Sequence, residues 1–210
     1  QPDYAEVHNQ LGEIYFSQGK IAEAIASLQL ALKLQPNFAA AYKTFGNALQ
    51  AQGKLDEAIG AYSKAVELNP EFAEAYANLG SMLSKQGRVQ EAIAYFQKAI
   101  ALKPNFAAIH WNLGNAWMQQ GKQDKAIACW QKAAEYKPEQ FSAEAFTNQG
   151  IYLSQQGKFE AAIASYQRAI SIQPDFLLAY QNLGNVLQQQ NQLDDAIAIF
   201  QKAIEIPSNA

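Results

Sequence analysis

Residues 73–104 read AEAYANLGSMLSKQGRVQEAIAYFQKAIALKP, and the placing of small, large and turn-forming residues in this stretch decides the fold. Apolar side chains recur at spacings of three and four, at Tyr76, Leu79, Gly80 and Leu83, and again at Ala92, Ile93, Phe96, Ala99 and Ile100. That is the period of an amphipathic α-helix, whose 3.6 residues per turn bring such positions onto one face; a half-buried strand would alternate every second residue. Two helices are therefore predicted, over 73–86 and 89–102, joined by the turn Gln86-Gly87-Arg88. Gly87 suits the left-handed backbone with which many helices end. Pro104 stops the second helix and pushes the residue before it out of helical geometry, which re-aims the chain.

The same pattern extends in both directions. Gly12, Gly46, Gly80 and Gly114 are 34 residues apart, Gly150 follows after 36 and Gly184 after 34. Each is followed by one alanine (Ala24, Ala58, Ala92, Ala126, Ala162, Ala196) and seven residues later by another (Ala31, Ala65, Ala99, Ala133, Ala169, Ala203). Pro36, Pro70, Pro104, Pro138 and Pro174 close five units, while the sixth departs with Pro207 one residue early. Asn191 stands where the other turns carry glycine, and it is the next-best residue for a left-handed position. Glycine and alanine let two helix axes approach closely, and Leu28, Tyr62, Phe96, Trp130, Tyr166 and Phe200 fill the space beside them. The reading is all-α: six helix-turn-helix units, 5–38, 39–72, 73–106, 107–140, 143–176 and 177–210, in a single array of twelve helices. Two extra residues within Pro138-Glu139-Gln140-Phe141-Ser142 make the one spacing of 36, and are expected to alter the superhelix locally or loosen the stacking, with a hinge as a further alternative.

These residues resemble the tetratricopeptide repeat (TPR), and the resemblance covers 5–210. It implies a right-handed superhelical solenoid in which the first helix of each pair lines a concave groove. Repeat arrays of this kind are quasi-one-dimensional, each unit depending on its neighbours for burial.

Composition narrows the function. The 210 residues carry 16 Lys and Arg against 19 Asp and Glu, a formal net charge of -3, with no basic run. Neutralising several phosphates needs clustered cations, so no nucleic-acid partner is expected. Polar residues interrupt every apolar stretch well short of the ~20 residues that span a bilayer, so no membrane insertion is expected either. Cys129 is the one cysteine, which rules out an internal disulfide and a multi-cysteine metal site and fits a cytoplasmic setting. Catalytic signals are weak. His8 and His110 occupy the repeat position held elsewhere by Tyr42, Tyr76, Phe146 and Tyr180, which reads as a packed ring. Cys129 has no histidine at activating spacing, and the glycines occur singly, never as a phosphate-cradling loop. No enzymatic activity, cofactor or metal is expected of this stretch.

The expected role is a scaffold that binds an extended peptide or partner protein. In the TPR family, groove-facing side chains come from positions 2, 5, 6, 9, 12 and 13 of the first helix. Position 6 holds Asn78, Asn112, Asn148 and Asn182 in four successive repeats, and position 9 adds Asn47, Asn115 and Asn185. An amide both donates and accepts, so such a row suits the main chain of an extended peptide. The same asparagines also suit bonds to a neighbouring helix that fix repeat stacking. The row resembles the asparagine ladder of O-linked N-acetylglucosamine transferases, which leaves open that the array is the substrate-selecting arm of a larger enzyme such as a glycosyltransferase. Lys43, Asn47 and Asn78 resemble part of the clamp that grips chaperone tails, but Ala108 and Asn112 replace its two remaining cations, which disfavours that ligand. Trp111 reads either as an interface anchor or as packing across the repeat joint. The sequence carries no solvating helix after the sixth unit, so the face of Ile197, Phe200, Ile204 and Ile206 is expected to lack cover. That points to a segment of a longer protein, with end-to-end self-association as an architectural alternative.

Overall fold

A computed structural model describes residues 2–206. Within them the chain forms twelve α-helices: α1 Pro2–Ser17, α2 Ile21–Leu34, α3 Ala39–Ala51, α4 Leu55–Leu68, α5 Ala73–Lys85, α6 Val89–Leu102, α7 Ala107–Gln119, α8 Gln123–Tyr136, α9 Pro138–Gln155, α10 Phe159–Ile172, α11 Leu177–Gln189 and α12 Leu193–Glu205. No strand occurs among the described residues, and no helix among them is long and apolar enough to cross a membrane. Two compact units are distinguished, Gln1–Asn105 with α1 to α6 and Phe106–Ala210 with α7 to α12. Pro207 and the residues after it lie outside the described residues.

The turn inside each helix pair is the same six times. Gly19, Gly53, Gly87, Gly121 and Gly157 all have φ between 71 and 82°, and Asn191 takes φ 59° in the sixth turn. The residue after each donates its N–H back across the helix end: Arg88 to the Leu83 carbonyl at 2.9 Å, Gln192 to the Leu187 carbonyl at 2.9 Å. This closure satisfies a carbonyl that would otherwise face out of the last turn. Asn191→Val is expected to destabilise the protein by about 1–2 kcal/mol, because a β-branched residue clashes in the left-handed region. Asn191→Gly is expected to be neutral or slightly stabilising. Urea denaturation of the two variants beside the parent protein checks this.

The crossing of the paired helices follows the small-and-large arrangement. A Cβ built on Gly46 would stand 2.6 Å from the Tyr62 ring, and one on Gly114 2.6 Å from Trp130. Gly12, Gly80, Gly150 and Gly184 meet Leu28, Phe96, Tyr166 and Phe200 in the same way, at 2.5 to 2.9 Å. Tyr62, Phe96, Tyr166 and Leu28 are among the most deeply buried large side chains. In the first unit Ala24, Leu28, Ala31, Ala41 and Ala48 form a core cluster with Phe38 and Phe45 against it. In the second unit Ala162, Tyr166, Leu183, Val186 and Leu187 do so, flanked by Ile151 and Phe200.

The two-residue insertion lies within a helix. α9 is 18 residues long where α3, α5, α7 and α11 have 13, and Pro138 opens it directly after Lys137. Proline at the first helical position loses nothing, since its missing N–H would have no intrahelical partner there. Pro138 therefore begins a helix, whereas Pro36, Pro70, Pro104 and Pro174 lie just beyond one. The added turn swings Phe141 into a buried cluster with Ala107 and Ala133, against which Trp111 packs. That aromatic contact spans the joint between α7 and α9. At the far end Ile197 and Ile204 are exposed, while Phe200 and Ile206 are half-buried.

Candidate functional site

The asparagine positions divide into amides that the fold consumes and amides that it leaves open. In the first unit Asn47 Oδ1 accepts from the Tyr62 hydroxyl at 2.8 Å and from Asn78 Nδ2 at 2.9 Å. The Tyr62 hydroxyl also lies 3.1 Å from Gln50 Oε1, and burial pushes its pKa upward, so it stays a donor. Asn78 is 31 residues from Asn47, so their bond ties consecutive repeats together. Lys43 is half-buried nearby. The carboxyl of Glu74 is held below the usual range, first by the hydrogen bond from Lys103 at 2.9 Å and in smaller part by the charges of Lys103 and Lys43.

In the second unit Asn115 Oδ1 accepts from Trp130 Nε1 at 3.0 Å, the counterpart of the Asn47–Tyr62 bond. Asn182 turns its NH2 onto the Leu178 carbonyl of its own helix at 2.8 Å, and Asn185 is exposed. Asn112 is half-buried. Trp111 is also half-buried, with Phe141 stacked at 5.2 Å and Trp130 tilted at 5.8 Å between ring centroids. Its ring is thus engaged across the joint between α7 and α9.

Asn148 shares with Asn185 the lack of a described side-chain hydrogen bond, but lies deeper. It is half-buried on α9, and its amide makes no hydrogen bond to another described side chain or carbonyl. It lines a cleft of about 360 Å³ with Asn115, Met118, Trp130, Ile151, Tyr152 and Gln155. That volume is at the lower end of ligand pockets, enough for one large side chain or a short chain segment. Trp130 forms the floor, only 4% exposed and held by its bond to Asn115 and its ring contact with Trp111. Tyr152 flanks Asn148, with its hydroxyl 3.4 Å from Asp124 Oδ1.

Ile151, Tyr152 and Gln155 were not among the residues singled out from sequence. A signal existed for Tyr152. It occupies the repeat position where Ala48, Met82, Ala116 and Val186 are buried, and its larger ring remains half-buried.

His110 is buried with its ring 5.4 Å from that of Tyr136, and burial pushes the Cys129 thiol pKa up, away from the thiolate. Among the described residues no group of three or more His, Cys, Asp or Glu is arranged to hold a metal ion.

Comparison with known proteins agrees with this architecture. Tetratricopeptide-repeat family profiles match residues 43–105, 83–146 and 178–206, and a TPR-repeat profile matches 12–53 and 153–191. The chain belongs to the tetratricopeptide repeat family. No curated protein sequence matches it. Among solved structures it is similar to MamA, with 29% identity over 80% of this chain and 90% of that one and a TM-score of 0.70. It is similar to YrrB, described as a TPR protein with an unusual peptide-binding site, at 24% identity, 87% and 93% coverage and a TM-score of 0.69. PilF of Pseudomonas aeruginosa shares the fold at 20% identity, 99% and 94% coverage and a TM-score of 0.79.

Proposed function

We propose that this protein is an interaction module that binds an extended peptide or a peptide-like segment of a partner protein along the first-helix face of its second unit. The observation that carries the reading is Asn148. A half-buried amide with no internal hydrogen-bond partner, set over an aromatic floor, offers both a donor and an acceptor to a ligand's main chain. Apolar contact with Trp130 and Met118 would supply affinity, and the amides would orient the chain. The reading agrees with the fold, since YrrB, which has the same fold, carries a peptide-binding site.

Of the other asparagines, Asn115 contributes chiefly through its NH2 group, its carbonyl already accepting from Trp130. Asn112, Asn182 and Asn185 extend the row along the same face. Asn47, Asn78 and Lys43 belong to the first unit, where the two amides serve repeat stacking. Trp111 acts from behind, as a brace for Trp130 and not as the anchor itself.

Affinity capture from native lysate with the parent protein and Asn148→Ala side by side, read by mass spectrometry, tests this. A partner retained by the parent and reduced about tenfold or more by the variant is expected, one lost main-chain pair plus desolvation being worth about 1.4 kcal/mol or more. Equal recovery by both proteins would remove the cleft from the account.

A further inference from the structure

The cleft's polarity says more about its ligand than the presence of amides does. None of its seven lining residues carries a charge. The lack of charge extends beyond the cleft: at positions 5, 6, 9, 12 and 13 of α7, α9 and α11 there is no Asp, Glu, Lys or Arg, whereas the same positions in the first unit include Glu13, Lys43 and Lys85. The acidic residue at position 2 of the second unit's face is Glu144, whose carboxyl pKa is pushed up by burial. Asp124 is not among the lining residues, though its carboxylate lies 3.4 Å from the Tyr152 hydroxyl.

A charged side chain entering such a cleft would give up hydration and find no counter-ion among the lining residues, which is far more costly than seating an apolar one. A wholly apolar occupant is also disfavoured, because it would leave the Asn115 and Asn148 amides without water or partner. The Asn115 carbonyl already accepts from Trp130 while its NH2 group makes no described bond, so N–H is what it offers a ligand most freely, which calls for a carbonyl oxygen opposite.

We infer that the cleft selects an uncharged, extended peptide segment carrying one bulky apolar side chain of the Leu or Met kind. That side chain seats against Met118, Trp130 and Ile151, and main-chain carbonyls accept from Asn115 and Asn148. The inference rests on the peptide-binding reading above and adds the chemistry of the peptide to it.

Random dodecapeptides displayed on phage and panned against the 210-residue protein, with counter-selection on Asn148→Ala, provide the test. The enriched sequences are expected to share an uncharged stretch around one large apolar residue. In a synthetic peptide of the strongest sequence, replacing that residue by Glu or Lys is expected to weaken binding at least about tenfold. Gln155→Lys, an exposed change at the rim that leaves the core untouched, is expected to shift the enriched sequences towards acidic residues. If Glu or Lys replacement leaves binding equal or tighter while Asn148→Ala still abolishes it, the peptide site stands and its preference for a neutral segment is wrong. If no enriched peptide depends on Asn148, the peptide-binding reading falls and this inference falls with it.

Discussion

Trp130→Ala is expected to destabilise the protein by about 3–5 kcal/mol, the range for removing a large aromatic side chain from a core. The indole is 4% exposed, fills the space left by Gly114, lies tilted against Trp111 and donates to Asn115. Its loss opens a cavity at the crossing of α7 and α8, frees Trp111 on one side and leaves the Asn115 carbonyl without its donor. Trp130→Phe separates these effects. It keeps much of the ring but deletes the N–H, so a smaller cost of about 1–2 kcal/mol is expected, part of it from the unpaired Asn115. Urea denaturation followed by circular dichroism measures both, and equal stabilities of Trp130→Ala and the parent would contradict the packing described here.

Gly46→Val is expected to cost about 3 kcal/mol or more, at or beyond the upper end for overpacking a core. The new Cβ would sit 2.6 Å from the Tyr62 ring, which is fully buried and tethered through its hydroxyl to Asn47. Moving the ring aside breaks that bond, and moving α3 away from α4 opens their shared core. Gly60 is the control. It lies within α4, and a Cβ added there would meet nothing within 4 Å, so Gly60→Ala is expected to stabilise by about 0.5–1 kcal/mol through reduced backbone entropy of the unfolded chain. Opposite signs from two glycines of neighbouring helices, read from the same denaturation curves, distinguish close packing from a general effect of removing glycine.

The helices, their turns and the glycine–aromatic crossings were legible in the sequence because each depends on a local period repeated six times. Asn191 illustrates this: its place in the repeat predicted a left-handed residue, and φ is 59°. The insertion at Pro138 misled for a local reason, since proline two residues past a helix and proline at the first position of a helix look alike without the partner of Phe141. The asparagine row was visible, but its division was not. Asn47 and Asn115 each stand 15 residues before a ring with a polar hydrogen, Tyr62 and Trp130, whereas Asn185 stands 15 before Phe200, which has none. That correspondence is in the sequence, yet it acquires meaning only once the first helix is seen to cross the second at those positions. The cleft was hidden for a further reason: Ile151, Tyr152 and Gln155 make a pocket only with Met118 and Trp130 from the preceding pair.

The division between consumed and open amides is the claim on which the functional reading depends, and thermal unfolding of Asn47→Ala and Asn148→Ala beside the parent tests it most directly. Asn47→Ala strips partners from the Tyr62 hydroxyl and from Asn78, a loss of about 1–2 kcal/mol. At roughly 2–4 °C per kcal/mol for a chain of this size, its midpoint is expected to fall by several degrees. Asn148→Ala removes no internal bond and is expected to melt within about 1 °C of the parent, or slightly above it, alanine being the better helix former. A fall for Asn148→Ala as large as that for Asn47→Ala would show that Asn148 serves the fold, and would contradict its assignment to a ligand.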